Sequence, residues 1–305
     1  MTVNDQKLLG RRTPVASWLS RARRRPLDAA RQLVTYVLLI SGSSVFITPL
    51  LWMLGTSLKP QTEVYIFPPT FIPRVFRFQN FPDAWNYPHM EFTRWTLNTL
   101  LITALVMIGV LVTASLCAYG FARVRFPGRD LWFMAVLASI MLPGQVTLIP
   151  LYVLFHRIGW LDTYKPLVLP AYFGGGAFFI FLLRQSFLQI PVDLEDAARM
   201  DGCGRFGIWW RIFLPLIKPA LTTVAIFTFQ GSWNDFYWPL ICLSTPEKFT
   251  LALGINMFRS SVPWDVTPVG LMMAAALVMV IPVIIIFFFA QRYFIQGIVI
   301  TGVKG

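Results

Sequence analysis

The sequence predicts an all-α integral membrane protein with six transmembrane helices and both termini in the cytoplasm. Three observations carry that reading. Of 305 residues, 56% are hydrophobic and only 13% are charged, and the mean hydropathy is +0.62. A soluble domain of this size cannot bury so much apolar surface. The apolar residues fall in uncharged runs long enough to cross a bilayer. Finally, 18 Lys and Arg lie in the terminal segments and the loops on their side, against 8 in the opposite loops. Positive residues gather on the cytoplasmic side.

Residues 1–31 form a basic cytoplasmic extension with Lys7, Arg11, Arg12, Arg21, Arg23, Arg24, Arg25 and Arg31. No charge follows until Lys59, so Gln32–Leu58 reads as the first span. It exceeds the roughly 7–15-residue apolar core of a signal peptide. Lys59–Arg94, with Pro68, Pro69, Pro73, Pro82, Trp85 and Pro88, is an outer loop too rich in turn formers for a long helix. Trp95–Ala122 is the second span, and FARVRFPGRD (Phe121–Asp130) is a tight basic turn. Leu131–Phe155 is the third span, kinked or broken at Pro143, Gly144 and Pro150. Pro166–Leu183 begins the fourth, where Gly174, Gly175 and Gly176 permit close backbone approach. The fifth runs from Lys218 to about Ile241, a loop carries Glu247, Lys248, Arg259 and Asp265, and Val266–Gln291 is the sixth. The six-helix membrane unit is thus 32–294, and 295–305 is a cytoplasmic tail.

The net charge of +12 raises nucleic acid as a partner, but a multi-span chain collects cytoplasmic Lys and Arg without it, so none is expected. Cys117, Cys203 and Cys242 lack paired or metal-ligand spacing, and with His89 and His156 as the only histidines no metal site is implied. There is no GxxxxGK[ST] phosphate loop, HExxH or GxSxG, so the chain is not expected to hydrolyse ATP or act as a common hydrolase. Asp83, His89 and Glu91 fall together in the outer loop, which reads as ordinary loop polarity rather than an acid–base site. A membrane glycosyltransferase would need paired metal-binding aspartates there, and none occur. A proton-coupled carrier would bury several carboxylates. Here Asp235 is the main one, in QGSWNDFYWPL (Gln230–Leu240). Trp233, Asn234, Asp235 and Trp238 either line an outer vestibule whose aromatic faces stack on sugar rings or anchor the helix at the interface. Arg184 reads as a cytoplasmic anchor.

The informative stretch is Asp193–Pro219. Asp193 is placed to cap a short helix, with Asp196 answering it. Leu194, Ala197, Ala198 and Asp201 share a face, the alanines outward, and Gly202 and Gly204 stop the helix in left-handed conformations. From Asp196 the spacing is D-A-A, three residues, Gly202, nine residues, Ile212, one residue, Leu214-Pro215. This resembles the EAA loop of ABC importer permeases, E-A-A-x3-G-x9-I-x-L-P, with Asp196 in place of Glu. IPVDLEDAARMDG, WNDFYWPL, PGQVTLIPLY and GIVITGVKG are similar to the maltose-type sugar permease subunits.

The resemblance implies a type I importer permease fold and a multi-pass inner-membrane location of bacterial type. It implies a second homologous permease subunit, a homodimer of ABC ATPase and an extracytoplasmic sugar-binding (lipo)protein as partners, besides membrane lipid, with no cofactor. By it, Glu195, Asp196, Ala197, Ala198, Arg199, Asp201, Gly202, Ile212, Leu214 and Pro215 couple to the ATPase, Glu195 being an alternative to Asp196 for the acidic contact. Arg199, Arg205 and Arg211 would pair with acidic groups there, and Trp209, Trp210 and Phe213 would root the segment. Gly302, Val303, Lys304 and Gly305 match the tail that reaches the ATPase interface. The solute would be a di- or oligosaccharide, with a glycerophosphodiester or polyamine as alternatives.

Overall fold

The computed structural model describes residues 25–260 and 268–302, with side chains for 31–258 and 268–291. Helix α1 (Arg25–Ser57) starts within the basic extension and covers all but the last residue of the first predicted span, Gln32–Leu58. Along Arg31–Leu54 its side chains face almost wholly away from the bundle, and only Gly55, Thr56 and Ser57 are buried, at its C-terminal end. It therefore joins the bundle at one end, where it meets the outer loop.

That loop is knotted rather than loose. Asn80 Nδ2 donates to the carbonyls of Ser57 and Lys59, each at 2.8 Å. The buried Glu63 carboxylate accepts from the Arg74 amide at 3.0 Å and the Thr70 hydroxyl at 3.1 Å. The Arg74 amide above all holds its pKa below the usual value.

Helix α2 (Phe92–Arg123) is the central strut, and most later elements pack on it. The third predicted span is broken as its prolines suggest: α3 (Arg129–Ser139) and α4 (Gly144–Arg157) meet at 96°. Pro143 is extended and precedes the first turn of α4, whereas Pro150 sits inside α4 without ending it. The fourth is also interrupted. A short helical stretch over 165–172 leads to the three glycines and then to α5 (Ala177–Leu188). Gly175 has φ +66°, and a Cβ there would lie 3.0 Å from the Val110 backbone, so the glycines do bring two chains together.

Helix α6 (Val192–Met200) follows, then an irregular helical segment over 205–216, then α7 (Lys218–Trp233), set at 82° to that segment. The expected fifth span to Ile241 is shorter than read: α7 ends at Trp233, and a separate turn of helix, α8 (Tyr237–Cys242), follows a break over 234–236. The expected loop after it contains α9 (Leu251–Ser260), whose backbone is packed against α2. Trp95 Nε1 donates to the Pro246 carbonyl at 2.8 Å, and the Leu251 amide donates to the Thr99 hydroxyl at 2.8 Å. Asp265 lies outside the described residues. Helix α10 (Val269–Gly302) continues past Gln291, so the expected tail begins as helix.

By length and composition, four helices among the described residues can cross a membrane, or up to six if each bent pair is one span. Two cores hold them. One gathers Val110, Tyr119, Phe187, Ile208, Trp209 and Phe213, next to α6. The other gathers Phe92, Trp95, Trp233 and Phe258.

Candidate functional site: the short helix before the 82° bend

Helix α6 starts behind Pro191, which occupies the cap position without a side-chain hydrogen bond. The expected Asp193 cap is therefore not formed. Asp193 sits one residue inside the helix with Glu195 in the first turn, where carboxylates meet the positive end of the helix dipole instead. The proline explains the shift, since its ring already fixes the chain in the extended conformation a cap requires. The stop is as expected at Gly202, with φ +79°. The Cys203 amide reaches the Ala198 carbonyl at 2.9 Å and the Gly202 amide reaches that of Arg199 at 3.0 Å, the paired bonds of a Schellman end. Gly204 is extended, φ −71° and ψ 163°, not left-handed. The Schellman pair has already satisfied the last carbonyls, so no second left-handed residue is needed.

Only one alanine faces outward. Ala197 is exposed, while Ala198 is buried beside Glu195 against the core. The helical period grouped Ala197 with Ala198, but the boundary between faces runs between them. Outward lie Val192, Asp193, Leu194, Asp196, Ala197, Arg199, Met200 and Asp201; Met200 is 88% exposed. Apolar side chains interspersed with three carboxylates thus stand exposed on a short helix closed at Gly202.

Glu195 faces inward instead. It accepts from Arg199 one turn on, and its Oε2 lies 4.0 Å from Arg123 Nε at the end of α2. Glu195 and Arg199 thus pair with each other within the chain. Arg205 and Arg211 are exposed.

Beyond Gly204 the chain passes through a π-helical turn, Trp209–Phe213. Such a turn inserts one residue and re-aims the side chains after it. Trp209 and Phe213 are buried in the first core, with Ile212 and Leu214 packed half-buried against it and Pro215 exposed. Trp210 points away from that core, 58% exposed, on the rim of an apolar groove of about 320 Å³ that Leu111, Val112 and Leu221 also line. Arg184 stacks its guanidinium 4.1 Å from the Phe133 ring centroid, as a fixed anchor would. Gly302 closes α10, whereas Val303, Lys304 and Gly305 lie outside the described residues.

The second expected cluster divides. Trp233 is buried, its indole N–H donating to the Met279 carbonyl at 3.0 Å and its ring stacked 5.4 Å from Phe229. It is a joint between α7 and α10. Asn234 Nδ2 turns back onto the Gln230 carbonyl at 2.9 Å. Asp235 Oδ1 accepts from the amides of Tyr237 and Trp238 at 3.1 and 3.3 Å, capping α8. With Ser232 and Thr250, Asp235 also lines a cavity of about 180 Å³. Trp238 packs edge-on against Phe155, 6.2 Å between centroids.

Asp83 pairs with Arg77 at 3.1 Å and Glu91 with Arg94 at 3.2 Å, so these outer carboxylates are separately neutralised. Sequence reading missed Asp162. This residue, at φ +54°, accepts from the amides of Ser244 and Thr245, the Thr245 hydroxyl and Lys248 Nζ, the last at 2.8 Å. Lys248 first and Thr245 next hold its pKa far below the usual carboxylate value. A lone Asp before Thr in a short loop signals a turn, but its partners lie more than eighty positions away.

Comparison with known proteins bears on both clusters. Residues 111–300 match the model of the binding-protein-dependent transport system inner membrane component. The arabinooligosaccharides transport system permease protein AraQ of Bacillus subtilis (strain 168) is 35% identical over 269 residues, 86% of this chain and 92% of that protein. The sn-glycerol-3-phosphate transport system permease protein UgpE of Yersinia enterocolitica is 31% identical over 280 residues, 90% of this chain and 97% of that one. In fold, the chain is similar to a bacterial ABC transporter involved in the import of the acidic polysaccharide alginate, with TM-score 0.78 and 23% identity over 88% of this chain and 98% of that one. With the family's region covering 190 of its residues, and both clusters inside it, the chain belongs to the inner membrane components of binding-protein-dependent transport systems.

Proposed function

We propose that the chain is one half of the translocation pathway of an ATP-driven sugar importer, coupled to its ATPase through α6. It crosses the membrane six times, counting each bent pair as one span, with both termini in the cytoplasm and the type I importer arrangement. A second, homologous permease subunit completes the pathway. A homodimer of ABC ATPase grips α6 and its counterpart, an extracytoplasmic sugar-binding (lipo)protein delivers the solute, and this chain itself hydrolyses nothing. The observation that carries the coupling role is the free face of α6. Asp193, Asp196, Ala197, Asp201 and the apolar side chains between them are exposed on a helix closed at Gly202 and followed by Ile212, Leu214 and Pro215. Asp196 makes the acidic contact, because Glu195 is engaged inside the chain. Gly302 to Gly305 reach the ATPase interface from the end of α10. Asn234, Asp235 and Trp238 border the pathway, with Trp233 behind them as support.

Gly202→Asp tests the coupling role, since no neighbour lies within 4 Å and the positive φ alone opposes the change. The variant should stay in the membrane while uptake is abolished; normal uptake with the ATPase still bound would sink the assignment. The solute is taken to be a di- or oligosaccharide because relatives over nearly the whole chain include an arabinooligosaccharide permease. The sn-glycerol-3-phosphate relative favours a phosphorylated polyol as a second reading. Reconstituted importer should accumulate labelled oligosaccharide and not labelled glycerol 3-phosphate, and the reverse result would select the second.

A further inference from the structure

Glu195 is a buried charge that the coupling role, as described, leaves without work. Its side chain and that of Arg123 are 5% and 7% exposed, while the second partner, Arg199, is half exposed on the same helix. Arg123 does more than face Glu195. It also donates to the carbonyls of Phe187 and Ile190, at the open C-terminal end of α5. Its guanidinium lies 5.0 Å from the ring centroid of Phe213, in the segment that leads into α7. One side chain therefore touches the end of α2, the end of α5, α6 and the root of α7.

A buried ion pair is a poor source of net stability, but it sets register. Neither partner can move off without leaving the other charged in a low-dielectric interior. Two donors stand in reserve at the same place. Arg123 Nε and the buried Tyr119 hydroxyl, one turn before it, have no hydrogen-bond partner among the described residues. The Tyr119 ring lies 5.5 Å from that of Phe213, the ring the Arg123 guanidinium also faces.

We propose that Arg123 and Glu195 are positioning residues that lock α6 to the cytoplasmic ends of α2 and α5, so that the three move as one body through the ATP cycle. This rests on the reading of α6 as the ATPase-coupling helix. The test uses the complete importer, with partner permease, ATPase and binding protein, in proteoliposomes. Spin labels at Arg125→Cys and Asp193→Cys, with C117A, C203A and C242A, report the α2–α6 separation. The lock requires the same distance distribution in the nucleotide-free and ATP-bound states, and a shift between them overturns it. In Arg123→Ala and Glu195→Gln importers, ATP hydrolysis should persist while solute moved per ATP falls about tenfold, with partial recovery in Arg123→Lys. Retained stoichiometry in Arg123→Ala would also overturn the lock. The two readings separate cleanly. Normal uptake by Gly202→Asp removes the coupling role, whereas the label distances judge the lock whatever that variant does.

Discussion

At Gly254 of α9 a methyl group would stand 2.0 Å from the Trp95 ring, and that ring is held by its bond to the Pro246 carbonyl. Neither side can yield without opening the outer core, so Gly254→Ala should lower stability by roughly 1–3 kcal/mol. Thermal unfolding of the solubilised chain reads this, and an unchanged midpoint would refute the packing. Asp235 offers a finer discrimination. As a cap for α8 it accepts two amide hydrogens. Asp235→Asn keeps the acceptor, and Asp235→Ala should lose about 1 kcal/mol of local stability. If the side chain also borders the pathway, Asn slows uptake with no loss of stability. Equal uptake in wild type and Asn would leave only the cap.

Among elements, the staple between the 158–165 loop and the 243–249 segment carries a pH signature. Asp162 titrates below its unfolded value, so its stabilisation is fully present above the unfolded pKa of about 3.9. It is lost as pH falls through the lower folded value. The stability gap between wild type and Asp162→Ala should therefore be flat from neutral pH to about pH 5 and close only in strong acid. A gap that changes around neutrality would point to another group. The same scale shows what local sequence can and cannot reveal. Pro143 and Gly144 announced the break between α3 and α4, because proline chemistry is local. The end of α7 at Trp233 was hidden, since apolar residues continue through Leu240 and only the turn at Asp235 interrupts them. Helix α9 was hidden by its charged neighbours. The period of α6 gave its faces, but which alanine turns inward depends on Phe187 and Phe213, which sequence alone does not place beside it.

For the whole molecule, composition and charge asymmetry were enough to give an all-helical membrane chain, and the spacing from Asp196 to Pro215 gave its family. The separation of Glu195 from Asp196 needed the fold, because adjacent residues differ only in which way the helix turns them. One prediction belongs to this scale. A chain whose described spans enclose almost no free carboxylate has no evident route for protons. Uptake by the assembled importer should follow ATP and survive collapse of the proton gradient. Abolition of uptake by a protonophore at constant ATP would reverse that reading and return attention to Asp235.

The 82° angle between the 205–216 segment and α7 makes that part of the molecule a bell crank. Two stiff arms joined near a right angle exchange the direction of a displacement: motion along one becomes motion across the other. The elbow is filled by Ile217 and Phe213, and close-packed interiors transmit strain rather than absorb it. A displacement carried along the 205–216 segment would thus reach α7 as a swing of its axis.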